Sequence, residues 1–148
     1  MVFKPTTTTL LVVTLFTFGC AVHGGKTPEI ERTHYGDHEP EIGYTQVVRV
    51  GNRLYLAGLT YQADTVAEQL VGIYDNIEQI LSDFDATTAH ILREVVYTTD
   101  IEALIETIPV RKSYFPSGAY PAATWVQVER LFLPDLKVEV EVTVLLPN

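Results

Sequence analysis

Residues 137–145 alternate without a break. Val138, Val140, Val142 and Val144 fall on one side, and Lys137, Glu139, Glu141 and Thr143 on the other. A repeat of two marks an extended strand whose successive side chains face opposite ways. Such a strand belongs in a sheet with one face covered and the other left to water or a partner. The cover has to be helical, and the chain holds one clear candidate. Val66, Leu70, Ile73, Ile77, Leu81 and Phe84 recur at three- and four-residue steps, which makes one apolar face. Thr65 and Glu68 have capping-box spacing at its start.

The remaining elements fit around these two. Tyr44–Val50 and Arg53–Leu59 are strand-like runs joined by Gly51-Asn52, the composition of a hairpin turn. Asp83–Thr88 is a connector, and the β-branched stretch Leu92–Thr99 reads as a strand. Because it follows a helix, it can run parallel to an earlier strand in a βαβ unit. A second helix is expected within Ile101–Phe115, with Pro109 in the first turn of its main part. Pro116, Gly118 and Pro121 make a stiff loop before a strand over Ala122–Arg130. The order is ββαβαββ, an α+β domain with a mixed sheet and two helices on one face. In the strand from Ala122, Val126 and Val128 suit the helix side. Ala123, Trp125, Gln127 and Glu129, with Tyr55 and Ala57, are then expected on the other face. An aromatic open face points to a partner and so to an oligomer.

At 148 residues there is room for one domain, here residues 42–148. The net charge of −9, with no basic run, argues against a nucleic-acid partner. A single cysteine excludes an internal disulfide framework and a cysteine-based zinc site. Residues 1–20 read as an export segment: Lys4, then the short apolar run Leu10–Phe18, then small residues. That run is too short for a spanning helix. It ends at Cys20 in a sequence similar to a lipoprotein box, although Phe18 stands where a small residue is usual. A lipidated Cys20 would tether the domain to a membrane in the cell envelope. A plain cleaved signal and an uncleaved anchor remain the alternatives. Residues 21–41 read as a polar linker. His34 and His38 flank Asp37 within it, but Gly36 and Pro40 argue against the helix that would bring both histidines to one metal. No metal is expected.

The stretch Tyr120-Pro121-Ala122-Ala123-Thr124-Trp125-Val126-Gln127-Val128, followed by Leu133-Pro134-Asp135 and Val138-Glu139-Val140-Glu141, resembles the C-terminal signature of the Rid (YjgF-like) reactive-intermediate deaminases. Gly43-Tyr44-Thr45-Gln46, and Gly51-Asn52 through Ala57-Gly58, resemble the family's opening hairpin. The resemblance runs from Tyr44 to the end. It implies a chorismate-mutase-like fold, a homotrimer with clefts between subunits, and cofactor-free hydrolysis of enamines and imines such as 2-aminoacrylate. It also implies roles. Glu139 matches the water-orienting glutamate and Tyr44 a cleft tyrosine. Ala123 stands where the family has a carboxylate-binding arginine, Trp125 where it has a cysteine, and Ala57 where it has a serine. Thr124 keeps a hydroxyl beside the lost arginine. Arg93 and Arg111 are the two cations that could substitute for it.

Three functions follow as expectations. The leading one is a Rid-like hydrolase of altered substrate range. The others are a non-catalytic trimer binding a small apolar or aromatic molecule in the same cleft, lined by Trp125, Tyr44 and Tyr55 with Thr124, Ala123 and Ala57 as its other ligand-binding residues, and a structural envelope protein.

Overall fold

The computed structural model describes residues 28–147. The expected export segment, Cys20 and the start of the linker lie outside the described residues. Six strands form one mixed sheet: β1 (Ile30–Thr33), β2 (Val47–Val50), β3 (Arg53–Leu59), β4 (Ile91–Thr98), β5 (Ala122–Gln127) and β6 (Val138–Leu145). Their spatial order is β1-β2-β3-β6-β4-β5, antiparallel throughout except for the parallel pair β4·β5. Four helices accompany the sheet: α1 (His38–Ile42), α2 (Val66–Ser82), α3 (Ile101–Glu106) and α4 (Ile108–Ser113).

The alternation in β6 does what its period requires. The four valines are at most 3% exposed, while Glu139, Glu141 and Thr143 are half-buried on the other side. α2 lies on the valine face, burying Leu70, Ile73, Tyr74, Ile77 and Leu81. Each such side chain removed from water contributes about 1.5–3 kcal/mol. The capping box forms as its spacing suggests. The Thr65 hydroxyl accepts from the Glu68 amide at 3.2 Å, and the Glu68 carboxylate accepts from the Thr65 amide at 3.0 Å.

Four details differ from the reading of the sequence. First, the second half of the supposed linker is structured. Residues 30–33 pair with β2 as an edge strand, and residues 38–42 form α1. Pro40 is tolerated because it sits in the first turn, where an amide has no intrahelical acceptor anyway. Second, the helix expected over 101–115 is two short helices that meet at Thr107, with Pro109 in the first turn of α4. Third, β3 and β4 run in the same direction but are not neighbours. β6 is inserted between them, and the adjacent parallel pair is β4·β5.

The fourth difference concerns the facing of β5. Its register sets Trp125 opposite Val96 and Val126 opposite Tyr97, so Trp125 packs on the helix-side core and Val126 is exposed. The expectation that Trp125 looks out of the open face is therefore corrected. A period of two says which residues share a side, not which side is inward. An indole buries more area than a valine, and here its N–H also points at a buried acceptor, Glu94, 3.4 Å away.

Candidate functional site

Glu139 sits on the half-buried face of β6, opposite Tyr97 of β4. On its other side β3 carries an irregularity. Leu56 pairs with Val142 but Leu59 pairs with Val140, so β3 spends one residue more than β6 over this stretch. Such a bulge re-aims the chain locally. It brings Gly58 under Glu139 so closely that a methyl group on Gly58 would overlap the carboxyl, with Cδ 2.6 Å away. Glycine is therefore required for the carboxyl to lie where it does. Burial lifts the Glu139 pKa above the ordinary value, and the neighbouring Glu141 charge adds to the lift.

Glu139 opens into a cavity of about 520 Å³. Tyr44, His38 and Thr60 supply its other polar groups, and Ala57 and Gly58 its floor. Ile42, Leu136, Leu133 and Phe132 make an apolar wall. Glu139 is the only carboxylate among the lining residues, and neither lysine nor arginine is among them. A second cavity of about 350 Å³ adjoins it, sharing His38, Tyr44, Gly58 and Thr60, and is lined by the amides of Gln46, Asn76 and Gln79.

The rim that carries Tyr44 is held by a buried glutamate, Glu39, whose burial has no local mark in its neighbours along the chain. Glu39 is 1% exposed. Its Oε1 accepts the amides of Tyr35 (2.6 Å) and Gly36 (2.8 Å). Its Oε2 accepts the Gln46 amide at 2.7 Å and lies 2.9 Å from His34 Nδ1. Burial pushes against ionisation. The amides of Tyr35 and Gln46, the His34 contact and the Gly36 amide outweigh it and hold the Glu39 pKa below the usual value. This cradle fixes the turn into β2. Tyr44 leaves it with its hydroxyl 3.0 Å from His38 Nε2. Burial, Glu39 and then Glu139 all raise the Tyr44 pKa, so the phenol keeps its proton.

Three of the six expected site residues, Glu139, Tyr44 and Ala57, meet in this one cavity. Ala123 and Thr124 do not line it. They are exposed on β5, two strands from β6 across the sheet. Trp125 belongs to a separate buried cluster around Glu94. There Glu94 Oε1 accepts from Arg111 Nε at 2.7 Å, Arg111 Nη2 lies 2.5 Å away, and Oε2 accepts from the Tyr74 hydroxyl at 2.7 Å. The Arg111 guanidinium also stacks over Phe115 and Trp125, 4.7 and 5.6 Å from their ring centroids. Arg111 is thus committed inside the core. Arg93 is more than half exposed, 3.7 Å from Glu141, and is not among the residues lining the cavity. Neither candidate substitute for the missing arginine reaches the cavity within one subunit.

Sequence reading missed His38, Thr60 and the apolar wall. Leu133 was in view only as part of a motif. His38 was set aside because it lay in a presumed linker.

A family model described as Endoribonuclease L-PSP matches residues 36–146. A RutC family protein of Pyrococcus abyssi is 28% identical over 106 residues, covering 66% of this chain and 82% of its own length. Among solved structures, Rv2704 of Mycobacterium tuberculosis, a member of the YjgF/YER057c/UK114 family, is 30% identical with a TM-score of 0.73. That match covers 80% of this chain and all of Rv2704. NMB1025 of Neisseria meningitidis, of the YjgF family, is 23% identical with the same TM-score, over 83% of this chain and 99% of its own. The expected α+β architecture, with its mixed sheet and helical layer, is the fold of these proteins.

Proposed function

Because this chain belongs to the endoribonuclease L-PSP family, the YjgF/RutC proteins, we propose that it is a cofactor-free hydrolase of imines or enamines whose substrates carry no carboxylate. The observation that carries this reading is a half-buried glutamate with a raised pKa, sharing with a tyrosine a cavity lined by neither lysine nor arginine. Hydrolysis of C=N needs a base for water and a proton donor for nitrogen. In its ionised form Glu139 takes the proton from water as oxygen bonds to the C=N carbon. Tyr44 presents a hydroxyl to the nitrogen. The apolar wall of Ile42, Leu133 and Leu136 takes the substrate's body.

The charge of the cavity sets the substrate class. Relatives are expected to grip a substrate carboxylate with an arginine, and Ala123 stands at that position. Loss of such an anchor costs roughly 2–5 kcal/mol of binding. With Glu139 as its only carboxylate and no lysine or arginine, the cavity disfavours an acid group and admits a neutral or amine-bearing one.

Part of the proposal is a homotrimer formed through the open sheet face. That face exposes Tyr55 and Val126. Light scattering of the purified protein at three chain masses supports it, and a monomer at micromolar concentration contradicts it. Export behind residues 1–20, with Cys20 as a lipid anchor in the envelope, is also proposed. Fractionation of wild type against Cys20→Ser tests it.

The deciding experiment offers purified protein a neutral alkyl imine and 2-aminoacrylate, and follows ammonia release. Acceleration of the first, none of the second, and loss of the first in Glu139→Ala are expected. Clearance of 2-aminoacrylate faster than buffer contradicts the substrate assignment. A second reading, a non-catalytic trimer that binds an apolar molecule, draws on the largely exposed Phe132 at the mouth. Binding of the imine's stable amine analogue with no ammonia from wild type selects it.

The family is described as an endoribonuclease. A cavity without Lys or Arg, on a chain of charge −9, is poorly suited to hold a phosphate backbone.

A further inference from the structure

We propose that His38 is a positioning and proton-relay residue for Tyr44, so that the hydrolytic site is a His38–Tyr44–Glu139 arrangement rather than a tyrosine and a glutamate alone. The inference rests on the hydrolase reading above and deepens it.

Four features of the structure converge on His38. Its Nε2 lies 3.0 Å from the Tyr44 hydroxyl. The imidazole is folded back over Gly36 so tightly that a methyl group there would overlap the ring, with Nδ1 only 2.6 Å from it. The Gly36 amide is in turn fixed by the buried Glu39 carboxylate, as is the Gln46 amide just beyond Tyr44. One buried anion therefore sets the geometry of both partners in the pair. The ring also stands where the two cavities meet. On one side is the Glu139 chamber, and on the other the amide-lined chamber that gives the imidazole access to water.

The chemistry needs such a partner. Burial, with Glu39 and Glu139 nearby, raises the Tyr44 pKa, so a proton arriving at its oxygen as its own leaves eases the transfer to nitrogen. In the first step a water proton passes to Glu139 and the O–C bond forms. The C=N π pair moves to nitrogen, which takes the Tyr44 proton while His38 passes its Nε2 proton to the tyrosine oxygen and takes one at Nδ1 from solvent. In the second step Glu139 returns its proton to nitrogen and the C–N bond breaks. The hydroxyl proton of the intermediate goes to Tyr44, whose own proton returns to His38 Nε2 as C=O forms and Nδ1 gives its proton back to solvent. Ammonia and a carbonyl compound leave, and all three side chains are restored.

The test compares wild type, His38→Gln, Gly36→Ala and Glu139→Gln in steady-state ammonia release from a neutral alkyl imine, with and without added imidazole for a His38→Ala variant. Gly36→Ala keeps every side chain of the relay and only displaces the ring. The proposal expects kcat to fall about 100-fold in His38→Gln and in Gly36→Ala, within the range for a general acid–base group, with KM changed by less than about threefold. It also expects imidazole to recover part of the His38→Ala rate. A His38→Gln kcat within about threefold of wild type, while Glu139→Gln is inactive, overturns the relay and leaves the hydrolase reading standing. Wild type without ammonia release removes the reading and the relay together.

Discussion

Glu94 and Glu139 stand on neighbouring strands, β4 and β6, yet the molecule treats them in opposite ways. Glu94 is buried on the helix side and saturated. Arg111, Tyr74 and Trp125 converge on its two oxygens, and its cluster holds α2, α4, β4 and β5 together. Glu139 is half-buried on the other side, lies over a glycine, and meets another carboxylate, Glu141, rather than a cation. The first arrangement uses a charge to fix a structure, since a buried carboxylate with matched donors has no capacity left for a ligand. The second keeps a carboxylate short of partners beside an empty volume, which is what a base that must accept a proton requires.

The largest effect should come from breaking the saturated side. Arg111→Ala strands the Glu94 charge and should lower unfolding free energy by about 3–5 kcal/mol in a denaturant titration. A loss under about 1 kcal/mol would mean that the cluster is not a structural anchor. On the open side, Gly58→Ala should displace the Glu139 carboxyl. Because misplacement by about 1 Å can cost about 100-fold in rate, imine hydrolysis should fall by that order while unfolding free energy moves by less than about 1 kcal/mol. Unchanged turnover in this variant would detach Glu139 from the chemistry.

Acid titration sharpens the contrast between Glu139 and Glu39. The Glu39 pKa is depressed in the fold, so its stabilising contribution is present above the unfolded value and is lost as pH falls through the folded one. The Glu139 pKa is raised, so its contribution has the opposite sign. It is full below the unfolded value and is lost as pH rises through the folded one. Glu39→Gln should therefore flatten the loss of stability at low pH, as read by urea midpoints at pH 3–7. Glu139→Gln should leave that acid loss in place and change stability near neutrality by no more than about 0.5 kcal/mol. For activity, the raised Glu139 pKa places the acid limb of turnover above the ordinary carboxylate range.

Much of this was legible in the sequence, and the failures have physical causes. The β6 alternation and the α2 stripe are strong periodic signals, and both elements pack as their periods require. Glu139, Tyr44 and Ala57 were legible through motif resemblance, and the bulge in β3 brings them to one cavity. The facing of β5 was not legible, because the parallel register with β4 and the acceptor at Glu94 decide it, and both are long-range. α1 and His38 were missed because Gly36 and Pro40 look like breakers. In the fold, Pro40 occupies a first turn where it costs no hydrogen bond, and Gly36 makes room for an imidazole. Glu39 carries no local mark of burial. Its partners are backbone amides, which every sequence possesses.

The account stands most directly on what Glu139→Gln does to turnover and to folding in the same preparation. It predicts that ammonia release from a neutral imine falls by about 10²–10⁴-fold while the denaturant midpoint stays at the wild-type value. Wild-type turnover in Glu139→Gln, or a collapse of the midpoint that accounts for the lost activity, would contradict it.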